Sequence, residues 1–203
     1  MSINVCNNNS MSAITSLPSG VGGGSLNLIS TQTASSSSTI DFTSGIDSTY
    51  KEYIFKFINI HPASDNVIFS WQTDTGTNTN YNQTITSSAF RIAHSEDDSS
   101  IAAGPTYRSG DDQAQGTSFN YLGYNTGADA DQNICGKLYL FDPSSTTFVK
   151  HFIAVMQNTV QDDVSQQHNS AGYVNTTTAL TRVRFKFESG NIDSGTIKMY
   201  GVT

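Results

Sequence analysis

From Leu26 onward, apolar and polar residues alternate mostly in steps of two, the repeat of a strand with one dry face and one wet one. Residues 180–187 show it most cleanly: Val183, Phe185 and Phe187 alternate with Arg182, Arg184 and Lys186. The same reading predicts strands over residues 26–30, 39–42, 67–72, 85–93, 119–124, 138–141, 148–156 and 196–202. Asp142, Pro143 and Ser144 supply a turn that makes a hairpin of 138–141 and 148–156, and Ser189, Gly190 and Asn191 supply another turn. The run from Tyr53 to Ile60 is apolar on both sides, with Tyr53, Phe55 and Phe57 on one face and Ile54, Ile58 and Ile60 on the other. Such a strand is expected to be covered on both sides or to border a partner. No 3.6-residue periodicity marks a helix. Roughly ten strands in one chain predict an all-β fold, a two-sheet antiparallel β-sandwich of jelly-roll-like form.

Two stretches break the pattern. Residues 1–25, with Asn7 to Asn9, Pro18 and the glycines Gly22 to Gly24, hold no regular element. They read as an extended N-terminal arm and a possible anchor, ahead of a sandwich module over 26–203. The polar stretch 97–116, broken by Gly104-Pro105 and Gly110, reads as a long functional loop. Residues 157–173 read as a second loop that could meet a ligand.

Composition narrows the function. Charged residues are 13% of the 203, and ten basic against 17 acidic side chains leave a net charge of −7. Duplex binding draws most of its affinity from Lys and Arg against phosphate, so nucleic acid is not an expected partner, and neither is an anionic membrane. No run approaches the roughly 20 apolar residues of a spanning helix, so no membrane insertion is expected. Cys6 and Cys135 stand far apart and are expected to be free thiols. The opening residues Met1 to Ser12 have neither the basic nor the apolar region of a signal peptide, which favours synthesis in a host cytoplasm and release by lysis.

The sequence carries few signatures of reaction chemistry. Nucleotide-binding loops are missing; Gly20 and Gly22 fail the dinucleotide fingerprint because Ser25 holds the third glycine position. Neither a GxSxG elbow nor an HExxH motif occurs. The four histidines, His61, His94, His151 and His168, lack metal spacing and are expected at the surface or half-buried. Asp129, Asp131 and Asn133 open like a calcium loop, yet Ile134 stands where its glycine should be and Leu140 where its bidentate Glu should be. That rejects an EF-hand and leaves only a looser loop site. Glu96 to Asp98, Asp111-Asp112 and Asp162-Asp163 fall in expected loops as solvated charge, with Asp111 and Asp162 the candidate acids of a glycosidase. Tyr81, Tyr107, Tyr121, Tyr124 and Tyr173, with Trp71 if it stands outside the core, offer a sugar-stacking surface. Trp71 is expected in the core. No catalytic residue, cofactor or metal ligand is assigned.

Residues 28–42 (LISTQTASSSSTIDF), 46–50 (IDSTY), 53–62 (YIFKFINIHP) with Asp65-Asn66, 138–148 (LYLFDPSSTTF) and 195–201 (GTIKMYG) carry a resemblance. Together they resemble virion-associated structural proteins of marine tailed bacteriophages and of metagenomic viral sequences, over most of 26–203. The resemblance implies a component on the outside of a capsid or in a tail and its fibres, and no enzymatic activity. The expectation is therefore a non-enzymatic tail or fibre attachment module in a virion. Its partners would be other virion proteins, copies of itself in an oligomer or lattice, and a host surface glycan. A capsid decoration protein is the alternative within that class, and a glycan-binding or polysaccharide-depolymerising enzyme the alternative outside it.

Overall fold

β-Branched and aromatic residues at alternate positions make strands here wherever one face can be buried. A computed structural model describes residues 26–99 and 104–203; the proposed anchor arm, residues 1–25, lies outside the described residues. Twelve strands follow in chain order: β1 (Leu26–Ser37), β2 (Ile40–Phe42), β3 (Glu52–Pro62), β4 (Val67–Thr75), β5 (Ile85–Ser95), β6 (Thr106–Tyr107), β7 (Asn120–Thr126), β8 (Ile134–Phe141), β9 (Lys150–Val160), β10 (Val164–Val174), β11 (Leu180–Phe187) and β12 (Ile192–Val202). The protein is all-β, and among the described residues no helix occurs.

Every pairing is antiparallel. The order β1-β12-β3-β8-β9-β7-β4-β11-β2 forms one nearly closed, barrel-like sheet, and β10, β5 and β6 continue outward from β9. A single residue pair, Thr126 with Val160, joins β7 to β9. A long arm of strands, β1-β12-β3-β8-β9-β10-β5-β6, thus meets a short one, β7-β4-β11-β2, through a narrow seam.

Aromatic side chains fill the space between the arms. Phe185 of β11 lies 5.3 Å from Phe55 and 5.0 Å from Phe57 of β3, ring centre to ring centre, with both contacts edge-on. Phe42 meets Phe55 at 5.3 Å, and Trp71 meets Phe152 of β9 at 4.9 Å. Edge-to-face pairs of this kind add about 0.5–1.5 kcal/mol each beyond the area they bury. The expected core residues Val183, Phe185, Phe187 and Trp71 are all buried in this cluster.

The expected strands are present, with four differences. First, β1 runs on through Ser35 to Ser37, well past the strand expected over 26–30; pairing with β12 overrides the serines' turn preference. Second, the face assignment in β3 changes partway. A bulge between Phe57 and Ile60, with Asn59 at φ 51°, shifts the phase by one residue. Ile60 therefore joins Tyr53, Phe55 and Phe57 in the core, while Ile58 stays exposed. Third, the hairpin of β8 with β9 forms as expected, but Phe148 lies in its loop and is 70% exposed. Fourth, residues 157–173 are not a loop: β9 runs to Val160 and β10 pairs along its length with both β9 and β5.

Candidate functional site

The inward face of β10 presents Gln166, His168 and Ser170, all buried. His168 stands directly opposite Arg91 of β5. From the segment after β6, Asp111 reaches into the same space. Its Oδ2 lies 2.8 Å from Arg91 Nε and 3.3 Å from His168 Nε2, and Arg91 Nη2 donates to Oδ1 at 3.4 Å. The three side chains are 3%, 8% and 0% exposed for Asp111, Arg91 and His168. Arg91 also stacks under the ring of Tyr124, 3.9 Å from its centre. Burial lowers the Arg91 pKa from its ordinary value, and the Asp111 charge beside it works in the opposite direction. A cation so placed keeps its charge because a carboxylate faces it.

Asp111 pins the segment 108–118 onto β5. Arg108 N–H donates to Ala89 O and Asp111 N–H to Arg108 O, both at 2.9 Å. Further along, Gln113 N–H donates to Ser87 Oγ at 3.0 Å, and Gly116 exchanges backbone bonds with Ile85. Gln72 of β4, fully buried, donates from Nε2 to Thr117 O and Ser118 O. The stretch read from sequence as one long loop is therefore fastened at several points from Thr106 onward; residues 100–103 lie outside the described residues.

This fastening shapes a groove of 330 Å³ lined by Ile68, Tyr107, Arg108, Tyr121 and Tyr124, with Asp111 at its floor. Tyr107 is 64% exposed, and its hydroxyl donates to Asp112. That bond holds the phenol proton and raises the Tyr107 pKa. Tyr121 is half-buried, and burial raises its pKa as well. Three tyrosine rings beside Arg108, with the exposed Ser109 and Gly110 in the same lining, suit a sugar, whose faces stack and whose hydroxyls need donors and acceptors.

Of the five tyrosines singled out from sequence, the structure gathers Tyr107, Tyr121 and Tyr124. Tyr81 is buried beneath the Arg184 guanidinium, 4.0 Å from its ring centre, where Arg184 also grips Asp41 with two hydrogen bonds. Tyr173 stands beside His151 on another face. Asp111 and Asp162 line separate depressions: Asp162 and Asp163 sit with Glu96 and Asp97 where the β9–β10 turn meets the end of β5. His168 overturns the expectation of a surface or half-buried histidine, because β10 carries its side chain inward. His61 is half-buried, and His94 and His151 are exposed, as expected. Among the described residues no three His, Cys, Asp or Glu side chains converge as a metal site, and Cys135 is a free thiol. Cys6 lies outside the described residues. Sequence reasoning missed Arg91 entirely, since a lone cation in a polar strand carries no local signal.

No family model matches the chain, and no curated protein does either.

Proposed function

We propose that this chain is a non-enzymatic structural module on the outside of a bacteriophage particle, an attachment module of the tail or its fibres that meets a host surface glycan. The groove of Tyr107, Arg108, Tyr121 and Tyr124 carries this reading. It lies at the segment expected from sequence to meet a ligand, and the buried contact of Asp111 with Arg91 keeps it in shape. A rigid aromatic site loses little entropy on binding. The resemblance of 26–203 to virion-associated proteins points the same way. The aromatic packing of β3 and β9 against β2, β4 and β11 supports a two-layer, jelly-roll-like sandwich as the architecture behind the site.

Mass spectrometry of purified particles tests the assignment to a virion: stoichiometric peptides are expected, and their absence ends it. Negative-stain microscopy of a labelled copy then separates tail from shell, and density on the capsid would make the chain a decoration protein instead. For the groove, the purified protein is mixed with host envelope glycans. Retention that drops at least tenfold in Tyr107→Ala/Arg108→Ala is expected. Release of oligosaccharide would replace this reading with a depolymerase.

A further inference from the structure

The outward face of the long arm carries two cross-strand rows that the glycan groove does not use. In one, register places Leu28, Tyr200, Ile54, Tyr139 and Ile153 side by side across β1, β12, β3, β8 and β9. In the next, Lys198, Lys56 and Lys137 stand directly opposite one another on β12, β3 and β8, followed by Val155 on β9. Leu28 is 56%, Ile153 46% and Val155 38% exposed. Neighbouring strands are about 4.8 Å apart, so the three ammonium groups crowd into roughly 10 Å.

Like charges directly opposite cost stability. Lys56 rests over the Tyr200 ring at 4.8 Å, but no carboxylate pairs with any of the three among the described residues. Residues 1–25 and 100–103 contain no Asp or Glu that could do so. In a chain of net charge −7, half of the six lysines stand in this one row.

The opposite charge lies elsewhere on the molecule. Glu96, Asp97 and Asp98 at the end of β5 and Asp162 and Asp163 at the β9–β10 turn are all exposed. Glu96 N–H donates to Asp163 O at 3.0 Å, which joins the two turns into one acidic tip. From Lys137, β10 is two strands away, and Asp163 lies six residues along it from Asn169, which pairs with Val155. At about 3.3 Å per residue the tip is roughly 20 Å from the lysine row. That exceeds the Debye length of about 8 Å at physiological salt, so the two charges do not neutralise each other within one copy.

We propose that this face binds a second copy of the chain head to tail, the acidic tip of one copy seating on the lysine row of the next, with the adjoining apolar row buried between them. A two-fold contact centred on the face would set the lysine rows against each other. A head-to-tail contact uses both charges and propagates into rings or filaments. The biological sense of such an assembly rests on the particle reading above, but its test needs no particle, so either can fail alone.

Sedimentation velocity of the full chain at rising concentration provides the test. Wild type is expected to self-associate at low salt and to dissociate at high salt. Lys56→Glu/Lys137→Glu/Lys198→Glu and, separately, Glu96→Lys/Asp97→Lys/Asp98→Lys are each expected to weaken association at least tenfold, and their equimolar mixture to restore it. The single exposed change Lys137→Glu, with thermal unfolding as a control, keeps the test valid if a triple variant misfolds. A wild type that stays monomeric at every concentration overturns the proposal, as does association untouched by reversal of the lysines. A row that instead captures a sulfated polysaccharide, with association unchanged, also overturns it.

Discussion

Replacing Asp111 by Asn removes one charge and almost no volume, so it isolates what the buried ion pair does. In wild type, Asp111 Oδ2 and Arg91 Nε are 2.8 Å apart with both side chains under a tenth exposed. At an effective dielectric of about 20, opposite charges at that distance attract by about 6 kcal/mol. Part of this attraction is offset by the cost of drying both groups. The variant keeps the drying cost of Arg91 and loses the attraction, and breaking a buried pair in this way typically costs about 3–5 kcal/mol. Trp71, the one tryptophan, is fully buried against Phe152 and reports global unfolding by its fluorescence. Urea titration should show a lower midpoint with an unchanged slope. The double variant Arg91→Met/Asp111→Leu removes both charges and should recover most of the loss, because replacing a buried pair by apolar side chains is often neutral or better. A loss under about 1 kcal/mol in Asp111→Asn, or a double variant no better than the single one, would refute the claim that this pair holds the segment down.

Phe185 has four aromatic neighbours within 6.2 Å, and Phe185→Ala should cost about 3–5 kcal/mol by the same titration; a change near zero would place the ring outside the core. Gly195 has φ +120°, and a Cβ there would come within 2.5 Å of Asn59 O, so Gly195→Ala should lower stability by roughly 1–3 kcal/mol, read as a drop in Tm. Lys150 is buried with one hydrogen bond, Nζ to Thr176 O at 2.9 Å, and burial lowers its pKa. The folded state therefore holds this proton less tightly than the unfolded state. Its penalty is full below the folded pKa and fades as pH rises toward the unfolded value of about 10.4. Measured by urea titration near pH 7 and near pH 10, the stability difference between wild type and Lys150→Met should shift in favour of wild type at the higher pH, and a pH-independent difference would refute this. Deleting residues 1–25, the proposed anchor, should leave a folded protein with an unchanged melting curve that no longer joins the particle; retained incorporation would end the anchor idea.

Strands that put apolar residues on one face were legible from their alternation. In β11, the buried Val183, Phe185 and Phe187 were readable because Arg182, Arg184 and Lys186 mark the wet side. What alternation does not reveal is pairing. The turn at Gly190 joins β11 to β12, yet these strands are not paired: β11 lies between β2 and β4, and β12 between β1 and β3. The phase shift in β3 was hidden for a related reason. Ile58 and Ile60 are the same residue type, so nothing local shows that a bulge at Asn59 turns one outward and the other inward.

The site was less legible than the fold because its interior is polar. In β10, Gln166, His168 and Ser170 point in while Gln167, Asn169 and Ala171 point out, so the hydropathy of the two faces barely differs and the strand reads as a loop. Its inward orientation is imposed by β9 and β5 on either side, which already have one face turned to the core through Phe152, Ala154, Met156 and Ala89. Once β10 is paired between them, its polar side chains must find partners or raise the free energy of folding. Asn120 answers Ser170 with a 3.0 Å hydrogen bond and accepts from Ser87 Oγ at 2.8 Å, and Asp111 comes down over His168 and Arg91. The need to satisfy a buried polar strand is thus what draws the 108–118 segment onto the sheet, and the groove between Tyr107 and Tyr124 is the surface consequence of that demand.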